Sequence, residues 1–143
     1  MDERWNDPAL SWEEKISQAL EKATDILGED FSSMEVSVVL SDDRHVQDLN
    51  KTFRHKDAPT NVLSFESEME GELGDIILAY ETVMKEAQTG DLPLINHTVH
   101  LIIHGFLHLL GYDHAEDDDA HKMENMEINI LKTLNIKNPY EVL

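Results

Sequence analysis

The 143 residues include no cysteine. Disulfide staples, thiolate nucleophiles and cysteine-bearing zinc sites are therefore excluded, and nothing favours an oxidising compartment. Basic residues are scarce: 11 Lys and Arg stand against 30 Asp and Glu, a formal net charge of -19. That balance disfavours broad nucleic-acid binding, because phosphates recruit Lys and Arg. No segment approaches the roughly 18 consecutive apolar residues of a membrane span, and the opening Met1 to Asp7 lacks the apolar core of a signal peptide. A cytoplasmic protein without membrane contact is expected. Internal repeats, low-complexity tracts and long Gly/Ser/Pro linkers are missing, so residues 1–143 are expected to form one domain.

A hydrophobic share of 41% is too high for a disordered acidic tail, so a folded, soluble chain is expected despite the charge. The charge is unevenly spread. Residues 1–50 hold thirteen acids and four bases, whereas Lys51-Thr52-Phe53-Arg54-His55-Lys56 holds three bases and no acid. It is the one basic island of the sequence.

Ser11 and Glu14 read as a capping box, with Ile16, Ala19, Leu20, Ala23 and Leu27 at helical spacing until Gly28. Glu35 to Leu40 reads as a strand, and Ser41 as the cap of a helix whose apolar face is Val46, Leu49 and Phe53. Asn61 to Phe65 and Asp75 to Ala79 read as two more strands, joined either as a hairpin or by a crossover. Tyr80 to Gln88 reads as a helix closed by Gly90. A strongly apolar helix follows, capped by Asn96 and stopped by Gly111. The last helix begins near Asp117 to Asp119 and aligns Met123, Glu127, Ile130, Leu131 and Leu134 on one side. Strands interleaved with helices in this way predict a sheet covered by helices, α+β or α/β.

Chemistry concentrates in His104-Gly105-Phe106-Leu107-His108-Leu109-Leu110-Gly111-Tyr112-Asp113-His114. Residues i and i+4 of a helix share a face, so His104 and His108 can present imidazoles to one metal. Gly111 then breaks the helix and lets His114 return as a third ligand. Three imidazoles leave a fourth tetrahedral position for water, the layout of a catalytic zinc site, in which bound water ionises near pH 7. Histidines buried for packing alone would need partners for every ring nitrogen. With 8 His in 143 residues, a given His has chance partners at i+4 and i+10 in about 0.3% of cases, or roughly 2 to 3% over the eight starting points. The spacing resembles the HExxHxxGxxH of metzincin peptidases, except that Gly105 stands where those enzymes carry their glutamate base. Peptide hydrolysis by that route loses its proton carrier.

The run HGFLHLLGYDH is similar to the signature of the YbeY family of bacterial endoribonucleases. Two further blocks resemble that family in the same order: Leu49-Asn50 through Phe53-Arg54 to Thr60-Asn61-Val62-Leu63-Ser64-Phe65, and Leu73-Gly74-Asp75-Ile76. Glu66 departs from the pattern, standing where many relatives have proline.

The resemblance implies an α+β fold, with a small mixed sheet of about four strands packed against several helices and the metal site on a central helix. It implies a zinc-dependent, single-strand-specific endoribonuclease of ribosomal RNA processing, notably small-subunit 3′-end maturation, and of ribosome quality control. One Zn2+ per chain is expected, with other divalent metals possible, on His104, His108 and His114. Arg54 and His104 are the expected catalytic residues. RNA and the small ribosomal subunit or its associated proteins are the expected partners, with no DNA.

Beside that expectation, a guanidinium can stabilise the charge built up on a phosphoryl group, and Arg54 can also be a solvated cation at a helix end. Lys51 and Lys56 are candidate phosphate contacts or exposed side chains. Asp113 can orient a ligand imidazole or cap the turn after Gly111. His100 shares the face of His104, but a fourth imidazole would close the open position, so it is left out of the ligand set. A metzincin-like zinc peptidase and a non-catalytic, metal-stabilised ribosome-binding module are the alternatives.

Overall fold

The computed structural model describes residues 3–6, 11–28, 34–113 and 116–140. A short 3-10 turn, Glu3–Trp5, precedes α1 (Trp12–Leu27), β1 (Glu35–Ser41), α2 (Asp43–Arg54), β2 (Val62–Glu66), β3 (Glu72–Ala79), α3 (Tyr80–Thr89), α4 (Leu94–Leu109) and α5 (Asp117–Thr133). The strands form a mixed sheet in the order β1-β3-β2, with β1 parallel and β2 antiparallel to β3. The α+β architecture is as expected. The strand count is three among the described residues rather than about four. Those three are the strands whose β-branched runs are visible in the sequence, and the fourth rested on family resemblance alone.

Alternation along β3 divides the interior. Ile76 and Leu78 face α4 and join Ile102, Ile103, Phe106 and Leu107 in the main core, which also takes in Ala19 and Ala23 of α1 and Met123, Ile130 and Leu131 of α5. Ile77 and Ala79 face the other way and meet Val46 of α2 and Leu63 of β2. Helix α4 thus lies between the sheet and α5, packed also against α1 and α3. Its apolar sequence follows from being surrounded on most sides.

Of three predicted caps, one keeps its place without capping and two move. Ser11 precedes α1 in a left-handed conformation (φ 48, ψ 55), and its side chain makes no capping hydrogen bond; an N-cap hydroxyl reaches the first turn from extended backbone. Ser41 is still the last residue of β1, so the cap of α2 falls to Asp42, whose carboxylate accepts from the His45 N–H at 2.8 Å. Helix α4 begins at Leu94, two residues before Asn96, with Pro93 as its N-cap (φ -58, ψ 135) and the Pro93 carbonyl accepting the first helical bond, from the His97 N–H at 3.1 Å.

The predicted stops at Gly28 and Gly111 are found, both at positive φ. After α4 the Gly111 N–H donates to the His108 carbonyl (3.0 Å) and the Tyr112 N–H to that of Leu107 (3.0 Å), a Schellman turn that directs the chain back over the helix end. Strand β3 contains a position only glycine can fill. Gly74 has φ +150, and a Cβ there would lie 2.0 Å from the Phe65 carbonyl oxygen. The close approach lets Phe65 and Glu66 pair with β3 beneath the end of α4.

Candidate active site

Helix α4 carries His104 and His108 one turn apart, and their Nε2 atoms lie 3.1 Å from one another. The rings are nearly perpendicular, at 81°, with centroids 4.6 Å apart. On its far side His104 Nδ1 lies 2.8 Å from Glu127 Oε1 of α5. A proton on Nδ1 is then held by the carboxylate, and Nε2 presents its lone pair towards His108.

Gly105, between the two histidines, faces the sheet. A Cβ there would sit 3.0 Å from both Ile76 Cγ2 and Ser64 Oγ. The position of the metzincin glutamate therefore points into the helix–sheet contact, where a carboxylate has no room.

Beside the histidines opens a cavity of about 810 Å3, lined by Arg54, Ser64, Phe65, His104, His108 and Asp113 among others. Its walls come from the end of α2, strand β2 and the α4 terminus with its Schellman turn. Arg54, the last residue of α2, reaches it because His55 takes a left-handed conformation (φ 59) and ends the helix. The Asn50 side chain then donates to the Ala58 carbonyl at 2.8 Å, tying the following loop back to α2. The Arg54 guanidinium donates to the Ser64 carbonyl at 3.1 Å and lies 5.8 Å from the Phe65 ring centre. Arg54, His104 and His108 thus share one cavity. Asp113 lines it too, exposed on the turn after α4.

Lys51 and Lys56 are exposed and do not line the cavity, and Lys51 lies 3.9 Å from Asp57. His114 lies outside the described residues. Among the described residues, no group of three or more His, Asp or Glu is placed to hold a metal. The donor chemistry of the pair nevertheless suits one: Zn–N bonds of about 2.0–2.1 Å in tetrahedral geometry separate two ligand nitrogens by roughly 3.3 Å. The pair of Nε2 atoms meets that edge, with the other face of His104 already secured.

The sequence did not single out Glu127 or Tyr140 as site residues. Glu127 is 1% exposed within the apolar stripe of α5. Its Oε1 faces His104 Nδ1 and, at 3.2 Å, His100 Nε2, while Oε2 accepts from the Tyr140 hydroxyl at 2.7 Å. Burial pushes this carboxyl up, but the hydrogen bonds from His100, His104 and Tyr140 outweigh that and bring its pKa down to about 2. Tyr140 is pushed well above the usual phenol range, first by burial and then by the Glu127 carboxylate it serves. A charged residue on an otherwise apolar stripe was the signal available in the sequence. A second, separate chain joins His97 Nε2 to Glu86 Oε1 at 2.9 Å and Glu86 to the cavity residue Asn61 at 3.0 Å.

The model of the family described as Endoribonuclease YbeY matches residues 2–135. A Rhodopseudomonas palustris protein named Endoribonuclease YbeY is 45% identical over 138 residues, covering 91% of this chain and 73% of that one. One of the same name from Magnetococcus marinus is 47% identical over 133 residues, covering 82% and 90%. Among solved structures, the solution structure of a Thermotoga maritima protein aligns with a TM-score of 0.59 at 23% identity, covering 92% of this chain and 95% of that one. That likeness concerns the fold.

Proposed function

The chain belongs to the YbeY endoribonuclease family, and from that premise we propose that it cleaves phosphodiester bonds of single-stranded RNA in ribosomal RNA processing, residues 1–143 acting as one unit. The observation that carries the reading is the shared cavity of Arg54, His104 and His108. Zinc is proposed as the metal, held by His104, His108 and His114; when bound, it supplies Lewis acidity towards the phosphate under attack. The chain's own part is charge and placement. Arg54 offers a planar fork of donors to the phosphoryl oxygens as negative charge accumulates on them, and its bond to Ser64 fixes where that fork lies. His104 and His108 keep their Nε2 atoms on the cavity side, and Asp113 is proposed to steady the turn leading to His114.

The acidic body bears on specificity. Three of the eleven bases fall in residues 51–56, and of those Arg54 lines the cavity, so a polyanion is repelled over most of the surface and met by a guanidinium at the site. Association with the small ribosomal subunit and a cytoplasmic location belong to the same proposal. It is tested by incubating protein of known zinc content with single-stranded RNA beside His108→Ala. Cleavage by the parent and none by the variant is expected; a zinc-loaded parent that co-sediments with ribosomal subunits yet never cuts RNA would leave the binding module instead.

A further inference from the structure

Glu127 occupies a position that packing alone would assign to leucine. Its neighbours along α5, Met123, Ile130 and Leu131, are buried in the main core, and Glu127 itself is 1% exposed. A buried carboxylate costs several kcal/mol unless its oxygens are hydrogen-bonded. Among the described residues, the partners of Glu127 include no Lys or Arg. They are two imidazoles of α4, His104 at 2.8 Å and His100 at 3.2 Å, and the Tyr140 hydroxyl at 2.7 Å. A charge held this way contributes little to fold stability that an apolar residue would not, so its placement points to what it holds.

We propose that Glu127, held by Tyr140, is a positioning residue that sets the tautomer and ring orientation of His104. The inference rests on the reading of His104 as a metal ligand. The Nδ1–H of His104 donates to Oε1, which leaves Nε2 unprotonated and aimed at His108 Nε2, 3.1 Å away. Without that acceptor the imidazole is free to protonate Nε2 instead, and the lone pair turns away from the cavity.

Tyr140 is brought to this carboxylate by a specific turn. At the end of α5, Asn135 takes φ 60, its N–H donates to the Lys132 carbonyl (3.2 Å), and the Ile136 N–H donates to that of Leu131 (2.9 Å). This Schellman turn reverses the chain so that the segment beyond it returns along α5. The Tyr140 ring then stands edge-on to His100, at 5.6 Å and 88°, with its hydroxyl on Oε2. The second carboxylate oxygen is thereby pinned, and Oε1 is left in place for His104.

The test uses Glu127→Gln, which keeps the volume but exchanges one of the two acceptor oxygens shared by His100, His104 and Tyr140 for an NH2 donor, and Tyr140→Phe, which removes one hydroxyl. Zinc affinity is measured by chelator competition, unfolding temperature on metal-free protein, and the His104 tautomer by nitrogen-15 NMR of the metal-free imidazole. Expected for Glu127→Gln is a loss of about 10- to 100-fold in zinc affinity, with a mixed or reversed His104 tautomer and a folded metal-free protein. Tyr140→Phe should weaken zinc in the same direction by a smaller factor. Parent-like zinc affinity and tautomer in both variants would overturn the proposal. A parent chain that takes up no zinc would instead overturn the ligand assignment, and the NMR measurement would still decide the role of Glu127.

Discussion

Arg54 is fastened to the edge of β2 that faces away from β3 by the Ser64 carbonyl, 3.1 Å from its guanidinium. The register makes this edge available. The Asn61 carbonyl accepts from the Ala79 N–H and the Ser67 N–H donates to Leu73, so alternate residues of β2 bond to β3 and Ser64 points its backbone outward. A guanidinium has five N–H donors, and anchoring one of them directs the fork without exhausting it.

Replacing Arg54 with Ala is expected to lower the rate of RNA cleavage by about 10²- to 10³-fold, the range for removing a donor to developing charge. Zinc content should be unchanged. Arg54→Lys should recover only part of the rate, because an ammonium lacks the planar fork. Cleavage of a fluorescent single-stranded RNA, with metal analysis of the same samples, checks this; parent-like turnover in the alanine variant would remove Arg54 from the chemistry.

His104→Ala and His108→Ala are each expected to lose stoichiometric zinc, since two imidazoles one turn apart supply half of a tetrahedral shell. Folding should survive, as both side chains are only partly buried. The check is zinc per chain after dialysis. Full retention by both variants would contradict the ligand assignment.

The His104/His108 pair and the stop at Gly111 were legible because both depend on spacing along one helix. So was the strand from Glu35, whose β-branched residues mark it without tertiary help. The caps were less so. Ser41 and Asp42 are both good cap residues, and the choice between them depends on how far β1 runs in its pairing with β3. The direction of β2 against β3 depends likewise on long-range pairing. Glu127 was placed on the correct face of α5 with no reason for its charge, since its partners lie 27, 23 and 13 residues away. Gly105 could be read as the lack of a base, but the contact with Ile76 and Ser64 that occupies the space appears only once α4 lies on the sheet.

Gly105→Glu is expected to destabilise the chain by about 3 kcal/mol or more, because it combines overpacking with an unpaired carboxylate between helix and sheet. It should not create a peptidase. Urea unfolding and a casein digest measure the two parts; a variant of parent-like stability that digests casein would show that the space at Ile76 and Ser64 is not limiting.

The acid limb of stability is expected to belong in large part to Glu127. Its carboxyl has a pKa of about 2 in the folded chain against an ordinary 4.5. As pH falls below 4.5 the unfolded chain takes up this proton first, so the unfolded state binds more protons and stability decreases. The contribution is fully present above 4.5 and disappears as pH passes through about 2. At about 1.4 kcal/mol per pKa unit it amounts to about 3 kcal/mol, of which about 2 kcal/mol is gone by pH 3. Gln at this position cannot take up the proton, so metal-free Glu127→Gln should lose less stability than the parent between pH 6 and pH 3. Urea unfolding of both proteins at the two pH values checks this. Equal losses would mean that the depressed carboxyl is not what the acid limb titrates.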